Sequence, residues 1–137
     1  DAHVNPTKIG AIGYCFGGGV VLAMAREGTD LKAVVCFHGS LATQKPGSQG
    51  ILKARVLVCN GKAHKFVPAD DIKKFKDEMK AAGADYKFVE YARATHAFTN
   101  PAATELGKKF NMPIAYNQKA DKKSWAAMVR WFKDTFK

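Results

Sequence analysis

The sequence predicts an α/β fold in which a mainly parallel sheet of about four strands is flanked by helices. Two observations lead to this prediction. Short apolar runs rich in β-branched or aromatic residues alternate with helix-like segments along the 137 residues. The segments between several of these runs are also long enough for the crossovers that parallel neighbours require. The sequence shows no internal repeat and no linker-like stretch, so we expect a single domain over residues 1–137.

The first half of the chain predicts a strand, a tight turn, a helix and a second strand. Residues 8–14 form a short apolar run that ends in a glycine cluster, and "VVLAMAR" at residues 20–26 favours a helix closed by Gly28. A second run, "LKAVVCF" at residues 31–37, is rich in β-branched residues. The following "HGSLATQKPGSQG" predicts an irregular loop because of its Gly, Ser and Pro content.

The second half of the chain adds two strands and three helices. The predicted segments are a strand at 55–59, a helix at 69–82, a strand at 86–91 and helices at 102–109 and 119–136. Asp70 and Asp71 fall at the start of the first of these helices, where we expect them to act as N-terminal caps. We expect the apolar stripe of the last helix to face the core. Its members are Trp125, Met128, Val129, Phe132 and Phe136.

The charge balance is strongly basic, with a formal net charge of +10 at pH 7. A basic surface attracts polyanions, but acidic residues separate the lysines, as in "DDIKKFKDEMK". This pattern favours solvated helix faces over a specific nucleic-acid surface. The sequence has three cysteines, and Cys36 and Cys59 lie in apolar runs typical of buried thiols. We therefore expect a reducing, cytoplasmic location, and no apolar run predicts a membrane span.

Cys15 lies at the centre of the most informative motif, "GYCFG" at residues 13–17. The form G-x-C-x-G is the thiol version of the nucleophile elbow, in which small flanking residues let a strand and a helix approach closely. The N–H groups of the new helix are expected to lower the thiol pKa and to stabilise an oxyanion. The alternative is that the glycines only allow close packing around a buried Cys15. His96 follows the last predicted strand, and this order of nucleophile and histidine is that of α/β hydrolases.

Four segments together resemble the dienelactone hydrolase family: "GAIGYCFGGG", "FHGSL", "FVPADD" and "THAFTNP". The resemblance implies a carboxylic ester hydrolase with Cys15 as the nucleophile, His96 as its general base and the backbone N–H of Phe16 as an oxyanion donor. It covers only the C-terminal part of the family's fold, because the nucleophile already comes at position 15. The implied architecture is therefore a partial α/β-hydrolase fold. Its strand at 8–14 lacks one neighbour, and we expect either a homo-oligomer through that exposed edge or an N-terminal segment of the family's fold beside it.

His64 stands where the family's triad has an acid. A carboxylate there orients the base and stabilises its imidazolium form, which a histidine cannot do, so we expect a weakened enzyme. The expected substrate is a small ester or lactone bordered by Phe66, Phe98 and His38, without a cofactor. The product of the first step would be a thioester that water hydrolyses.

Two alternatives remain open on the sequence alone. Cys15, His38, His64 and His96 all follow predicted strands, so a soft-metal site of Cys15, His64 and His96 is one alternative, suited to Zn²⁺ or copper. No compact ligand motif supports it. The other alternative is a catalytically inactive remnant or interaction module, which the missing acid and the missing N-terminal half favour.

Overall fold

All strands of the computed structural model, which describes residues 2–137, lie in one parallel sheet. The strands are β1 (Gly10–Tyr14), β2 (Ala33–Phe37), β3 (Arg55–Gly61) and β4 (Tyr86–Tyr91). Their order in the sheet is the same as their order in the chain, and each neighbouring pair is parallel. The predicted α/β fold is therefore confirmed. Because parallel strands share a direction, the residues that follow them meet at the same end of the sheet, where the carboxyl ends of the strands lie.

The helices are α1 (Phe16–Arg26), α2 (Ala69–Ala81), α3 (Ala103–Phe110) and α4 (Gln118–Thr135). Each predicted helix is present, and most bounds agree within one or two residues. The exception is α1, which begins at Phe16 and not at residue 20. Its first turn contains the glycine cluster. Because glycine has a poor helix propensity, the sequence pattern does not predict a helix at these residues. The packing of α1 on β1 and β2 overrides that propensity.

The core consists of two clusters, one on each face of the sheet. Side chains alternate between the faces along each strand, so Val34 packs towards α1 and α2, whereas Val35 packs towards α4. Phe75 and Met79 of α2 are fully buried in the first cluster. Burial on both faces explains why β2 and β3 are continuous apolar runs in the sequence.

Two expectations about helix details are wrong. Trp125 is 54% exposed, and the buried face of α4 contains Trp131 in its place, together with the predicted Met128. Asp70 and Asp71 lie in the first turn of α2, where the N-cap position is Pro68 and no side-chain cap forms. The two carboxylates still favour the helix, because they lie near its positive end.

A buried ion pair ties α1 to α2. The Arg26 guanidinium donates hydrogen bonds to both carboxylate oxygens of Glu78, at 2.7 and 2.9 Å, and to the carbonyl oxygen of Leu41 at 2.8 Å. The backbone N–H of Gly47 also donates to Glu78 at 2.7 Å. The loop after β2 is therefore fastened to both helices.

β1 forms one edge of the sheet, because within residues 2–137 it pairs only with β2. Apolar side chains on and beside this strand are partly exposed, among them Ile9, Ile12, Tyr14 and Val20. An open apolar edge strand is a ready surface for pairing. Within the same residues, no helix is both long and apolar enough to cross a bilayer.

Candidate active site

Cys15 is the single residue between β1 and α1. Its backbone has φ 52° and ψ −121°, a region that residues with a side chain rarely adopt. The Cys15 N–H donates to the carbonyl oxygen of Phe37 at 3.0 Å, and its own carbonyl oxygen accepts from the Gly18 N–H at 3.0 Å. Bonds to β2 on one side and to α1 on the other hold this sharp turn, and the thiol remains partly exposed.

The glycines of the motif do not contribute equally to the close approach of strand and helix. A Cβ on Gly13 would collide with the carbonyl group of Gly17, and a Cβ on Gly18 would lie 2.8 Å from Sγ of Cys36. A Cβ on Gly17 would meet nothing within 4 Å. The turn therefore requires Gly13 and Gly18, whereas Gly17 has room for a side chain.

His38 is the imidazole in contact with the thiol. Tyr14 pairs with Phe37 in the parallel ladder, so the next residues, Cys15 and His38, lie side by side. Nδ1 of His38 is 3.3 Å from Sγ of Cys15, and Nε2 is 2.9 Å from Oγ1 of Thr99. His38 is only 1% exposed and has φ 41°, which marks a sharp exit from β2.

His64 and His96 follow β3 and β4 and contact each other directly. Nδ1 of His96 lies 2.9 Å from Nε2 of His64. The same Nε2 is 3.1 Å from the carbonyl oxygen of His38, and the Phe66 N–H donates to Nδ1 of His64 at 3.2 Å. The His96 loop is positioned in turn by a parallel bridge to Ile114. The fold thus brings the predicted neighbours Cys15, His64 and His96 together at the carboxyl end of the sheet.

Burial keeps these imidazoles neutral. Burial, with smaller contributions from the nearby His96 and His64, lowers the pKa of His38 to about 3. Burial also lowers the pKa values of His64 and His96. The pKa of the Cys15 thiol is raised, again by burial. The lowered thiol pKa expected from the sequence is therefore not found, because burial disfavours the thiolate and the imidazoles beside it are uncharged.

The other two cysteines, Cys36 and Cys59, are in environments that make their thiols unreactive. Cys36 and Cys59 are fully buried in β2 and β3, and burial raises the pKa of each thiol to about 12. Their predicted role as small buried hydrophobes is confirmed. Reagents that alkylate thiolates should therefore react with Cys15 in preference to Cys36 and Cys59.

A surface depression of about 210 Å³ opens beside the thiol. It is lined by Cys15, Phe16, Ser40, His64, Phe66, Val67 and His96. Phe66 is half exposed, and its ring meets the His64 and His96 rings edge-on. Phe98 and His38, which were expected to border the substrate, are buried behind the depression, where their rings pack against each other.

Thr99 was not identified from the sequence as part of the site. Its hydroxyl fixes the far nitrogen of the buried His38. The only signal was a polar residue after the apolar pair in "HAFTN". That signal could not show which strand-end residue Thr99 would meet, because the contact joins loops that are 61 residues apart.

The structure also changes the candidate metal ligands. Among the described residues, the potential ligand atoms of Cys15, His38 and His96 lie within 4.8 Å of one another. The expected set contained His64 in place of His38. Nε2 of His64 instead lies within hydrogen-bonding distance of the backbone of His38 and the ring of His96. One thiol and two neutral imidazoles are donors suited to Zn²⁺.

A parallel sheet, a strained elbow after β1 and histidines after the later strands define this chain as an α/β-hydrolase type of protein. More specifically, it belongs to the dienelactone hydrolase family, whose model matches residues 1–136. An uncharacterized protein of Caenorhabditis elegans is 32% identical over 97% of this chain and 84% of its own length. A candidate carboxymethylenebutenolidase of Yersinia pestis is 30% identical over 95% of this chain and 48% of its own length.

A solved structure shows the same arrangement of elements. The dienelactone hydrolase-like promiscuous phosphotriesterase from metagenomic libraries superposes with a TM-score of 0.89 at 36% identity. The match covers 96% of this chain and 54% of that one. This chain therefore spans about half the length of the phosphotriesterase and of the Yersinia protein.

Proposed function

We propose that this protein hydrolyses small carboxylic esters or lactones with Cys15 as the nucleophile. Family membership supports a hydrolase. The observation that carries the cysteine mechanism is the placement of Cys15 at a strained strand-to-helix turn, with its thiol beside a depression and 3.3 Å from an imidazole. A residue held in a strained conformation at a surface depression is typical of a functional site.

The proposed reaction is acyl transfer in two halves. The Cys15 sulfur attacks the carbonyl carbon while a neighbouring imidazole takes the thiol proton. The C–O bond to the leaving group then breaks, the proton passes to the departing oxygen, and an acyl thioester remains on Cys15. Water hydrolyses the thioester and restores the thiol. Two imidazoles are candidates for the proton acceptor: His96 by its order in the chain, and His38 by its contact with Sγ.

Phe16 contributes its backbone to the oxyanion site in this proposal. It is the first residue of α1, where N–H groups have no partner within the helix. An N–H donor next to the nucleophile stabilises the negative oxygen of the tetrahedral intermediate. The Phe16 side chain is 88% exposed and lines the rim of the depression.

The depression indicates the substrate class. At about 210 Å³ it is small, and Phe16, Phe66 and Val67 give it an apolar wall. A short acyl chain suits this space better than a large polar group. The similar phosphotriesterase makes neutral phosphotriesters a useful second group of test substrates.

The test is hydrolysis of p-nitrophenyl acetate, butyrate and a p-nitrophenyl phosphotriester before and after alkylation with iodoacetamide. We expect ester turnover that disappears when Cys15 alone is alkylated, as located by mass spectrometry. Cys15→Ala should lose the same activity while keeping the circular dichroism spectrum of the folded protein. Turnover that survives complete alkylation of Cys15 would rule out the cysteine mechanism. Folded protein without turnover would instead favour the inactive remnant.

A second candidate function is binding of a soft metal ion, which the closeness of Cys15, His38 and His96 favours. Co²⁺ reports such a site directly, because a cobalt–thiolate bond adds an ultraviolet charge-transfer band. We expect Zn²⁺ to remove this band and to protect Cys15 from iodoacetamide. An unchanged alkylation rate at saturating Zn²⁺ would eliminate this candidate.

A further inference from the structure

We infer that His64 holds the ring proton of His96 on Nε2, whereas a carboxylate at position 64 would hold it on Nδ1. As a result, His38 and not His96 accepts the Cys15 proton. This inference rests on the proposed cysteine mechanism. It follows from the donors and acceptors around three neutral imidazoles. In a neutral imidazole one ring nitrogen carries a proton and the other accepts a hydrogen bond.

The tautomer of His64 is set by its contact with the backbone. The Phe66 N–H donates to Nδ1 of His64, so that nitrogen must carry a lone pair. Since Nδ1 carries no proton, the ring proton of His64 resides on Nε2. This N–H points at two acceptors, the His38 carbonyl oxygen at 3.1 Å and Nδ1 of His96 at 2.9 Å.

The tautomer of His96 follows from that of His64. Two N–H groups cannot face each other across 2.9 Å, so Nδ1 of His96 carries a lone pair and Nε2 carries the proton. A carboxylate at position 64 would do the opposite, because it only accepts: it would hold the proton on Nδ1 and leave Nε2 free as a base. His96 therefore offers the depression an N–H donor, which suits a developing negative charge but not proton abstraction.

His38 has the arrangement that a proton acceptor needs. The Thr99 hydroxyl, which can accept as well as donate, lies 2.9 Å from Nε2, and the Cys15 thiol, whose S–H is a donor, lies 3.3 Å from Nδ1. We therefore assign the His38 proton to Nε2 and the lone pair that faces the thiol to Nδ1. Because burial lowers the pKa of His38 to about 3 and raises that of the Cys15 thiol, the proton cannot move ahead of the attack: Nδ1 takes the S–H proton in the same step in which sulfur bonds to the carbonyl carbon. The same N–H then protonates the departing alkoxide. Thr99 is a positioning residue in this scheme, because it acts only through His38.

The test compares two single variants in two backgrounds. His96→Gln keeps an N–H donor but removes the imidazole, and His38→Asn removes the proton acceptor. With His64 present, we expect His38→Asn to slow p-nitrophenol release in the first turnover by about 100-fold or more, and His96→Gln by about tenfold or less. In the His64→Asp background the order should reverse, because the carboxylate returns the base to His96.

Thr99 supplies a second, finer readout. Thr99→Val removes the acceptor of the Nε2–H group, and we expect acylation to slow about tenfold and its pH profile to shift. Thr99→Ser should restore both, since it keeps the hydroxyl. Thr29→Val is the matched control, because Thr29 is exposed in the loop between α1 and β2, at the end of α1 opposite Cys15.

The possible failures are distinguishable. Turnover that survives alkylation of Cys15 refutes the proposed function, whereas Cys15-dependent turnover with His96→Gln as the severe variant refutes the inference alone. Long-range ¹H–¹⁵N NMR gives a result even without turnover, because the two neutral tautomers have distinct spectra. The His96 signals, assigned by their loss in His96→Gln, should show the Nε2–H form. The Nδ1–H form would overturn the inference.

Discussion

Gly13→Ala and Gly17→Ala should change stability in opposite directions, although the motif gives the two glycines equivalent positions. The Cβ of alanine at position 13 would collide with the Gly17 carbonyl group. That group belongs to the first turn of α1, which cannot withdraw freely because Gly18 packs against Cys36 and Gly39. A backbone collision of this kind forces the elbow to rearrange, at a cost of about 3 kcal/mol or more.

Gly17 is the matched control for this prediction. Its Cβ would point into open space, and its φ is not in the positive region. Alanine also favours a helix by about 0.5–1 kcal/mol over glycine, so Gly17→Ala should stabilise the protein slightly.

Urea unfolding followed by circular dichroism measures both changes. With a slope of about 1–3 kcal/mol per molar urea, a loss of about 3 kcal/mol lowers the midpoint by about 1–3 M. The reasoning would be refuted by a Gly13→Ala midpoint equal to that of the unchanged protein. It would also fail if Gly17→Ala were the more damaging of the two substitutions.

Four further measurements test other parts of the structure. Glu78→Gln should cost about 3–5 kcal/mol in urea unfolding, since the buried Arg26 loses its counter-charge; a loss below about 1 kcal/mol would contradict this. The pKa of His38 is near 6.5 in the unfolded chain and about 3 in the folded protein. Below pH 6.5 the unfolded chain therefore binds more protons, and the free energy of unfolding falls by about 1.4 kcal/mol for each pH unit. His38→Gln should flatten that fall. Alkylation of Cys15 should accelerate above pH 9, because burial raises its pKa; a plateau at pH 7 would indicate a thiolate already formed. Light scattering should detect dimers that Ile12→Lys dissociates, whereas a stable monomer at high concentration would count against pairing through β1.

Most of the fold was predictable because burial leaves a regular trace in the sequence. β2 and β3 are buried on both faces, so they are continuous apolar runs, and α2 shows its apolar face at spacings of three and four residues. The start of α1 was not predictable from propensity. Its glycines are poor helix formers that tertiary contacts hold in a helix.

The candidate site was predictable only in part. The order of the strands in a parallel sheet brings the residues after β1, β3 and β4 to one edge, and this places Cys15, His64 and His96 near one another. The contact of His38 with the thiol depends on the register of β1 and β2 and on a positive φ, neither of which leaves a sequence pattern. Its anchor, Thr99, comes from a loop that a sequence pattern cannot place.

The residue at position 64, and not the fold, determines which imidazole accepts the Cys15 proton. A carboxylate accepts hydrogen bonds only, so it would orient His96 with its basic nitrogen away from position 64. A neutral histidine held by the Phe66 N–H has to donate at its other nitrogen, and this exchanges the donor and acceptor nitrogens of His96. The elbow and the depression are unaffected by this reversal, since neither depends on which nitrogen is protonated. On this scaffold the proton acceptor therefore has to be identified from the tautomers of His38 and His96, because the strand order alone does not distinguish them.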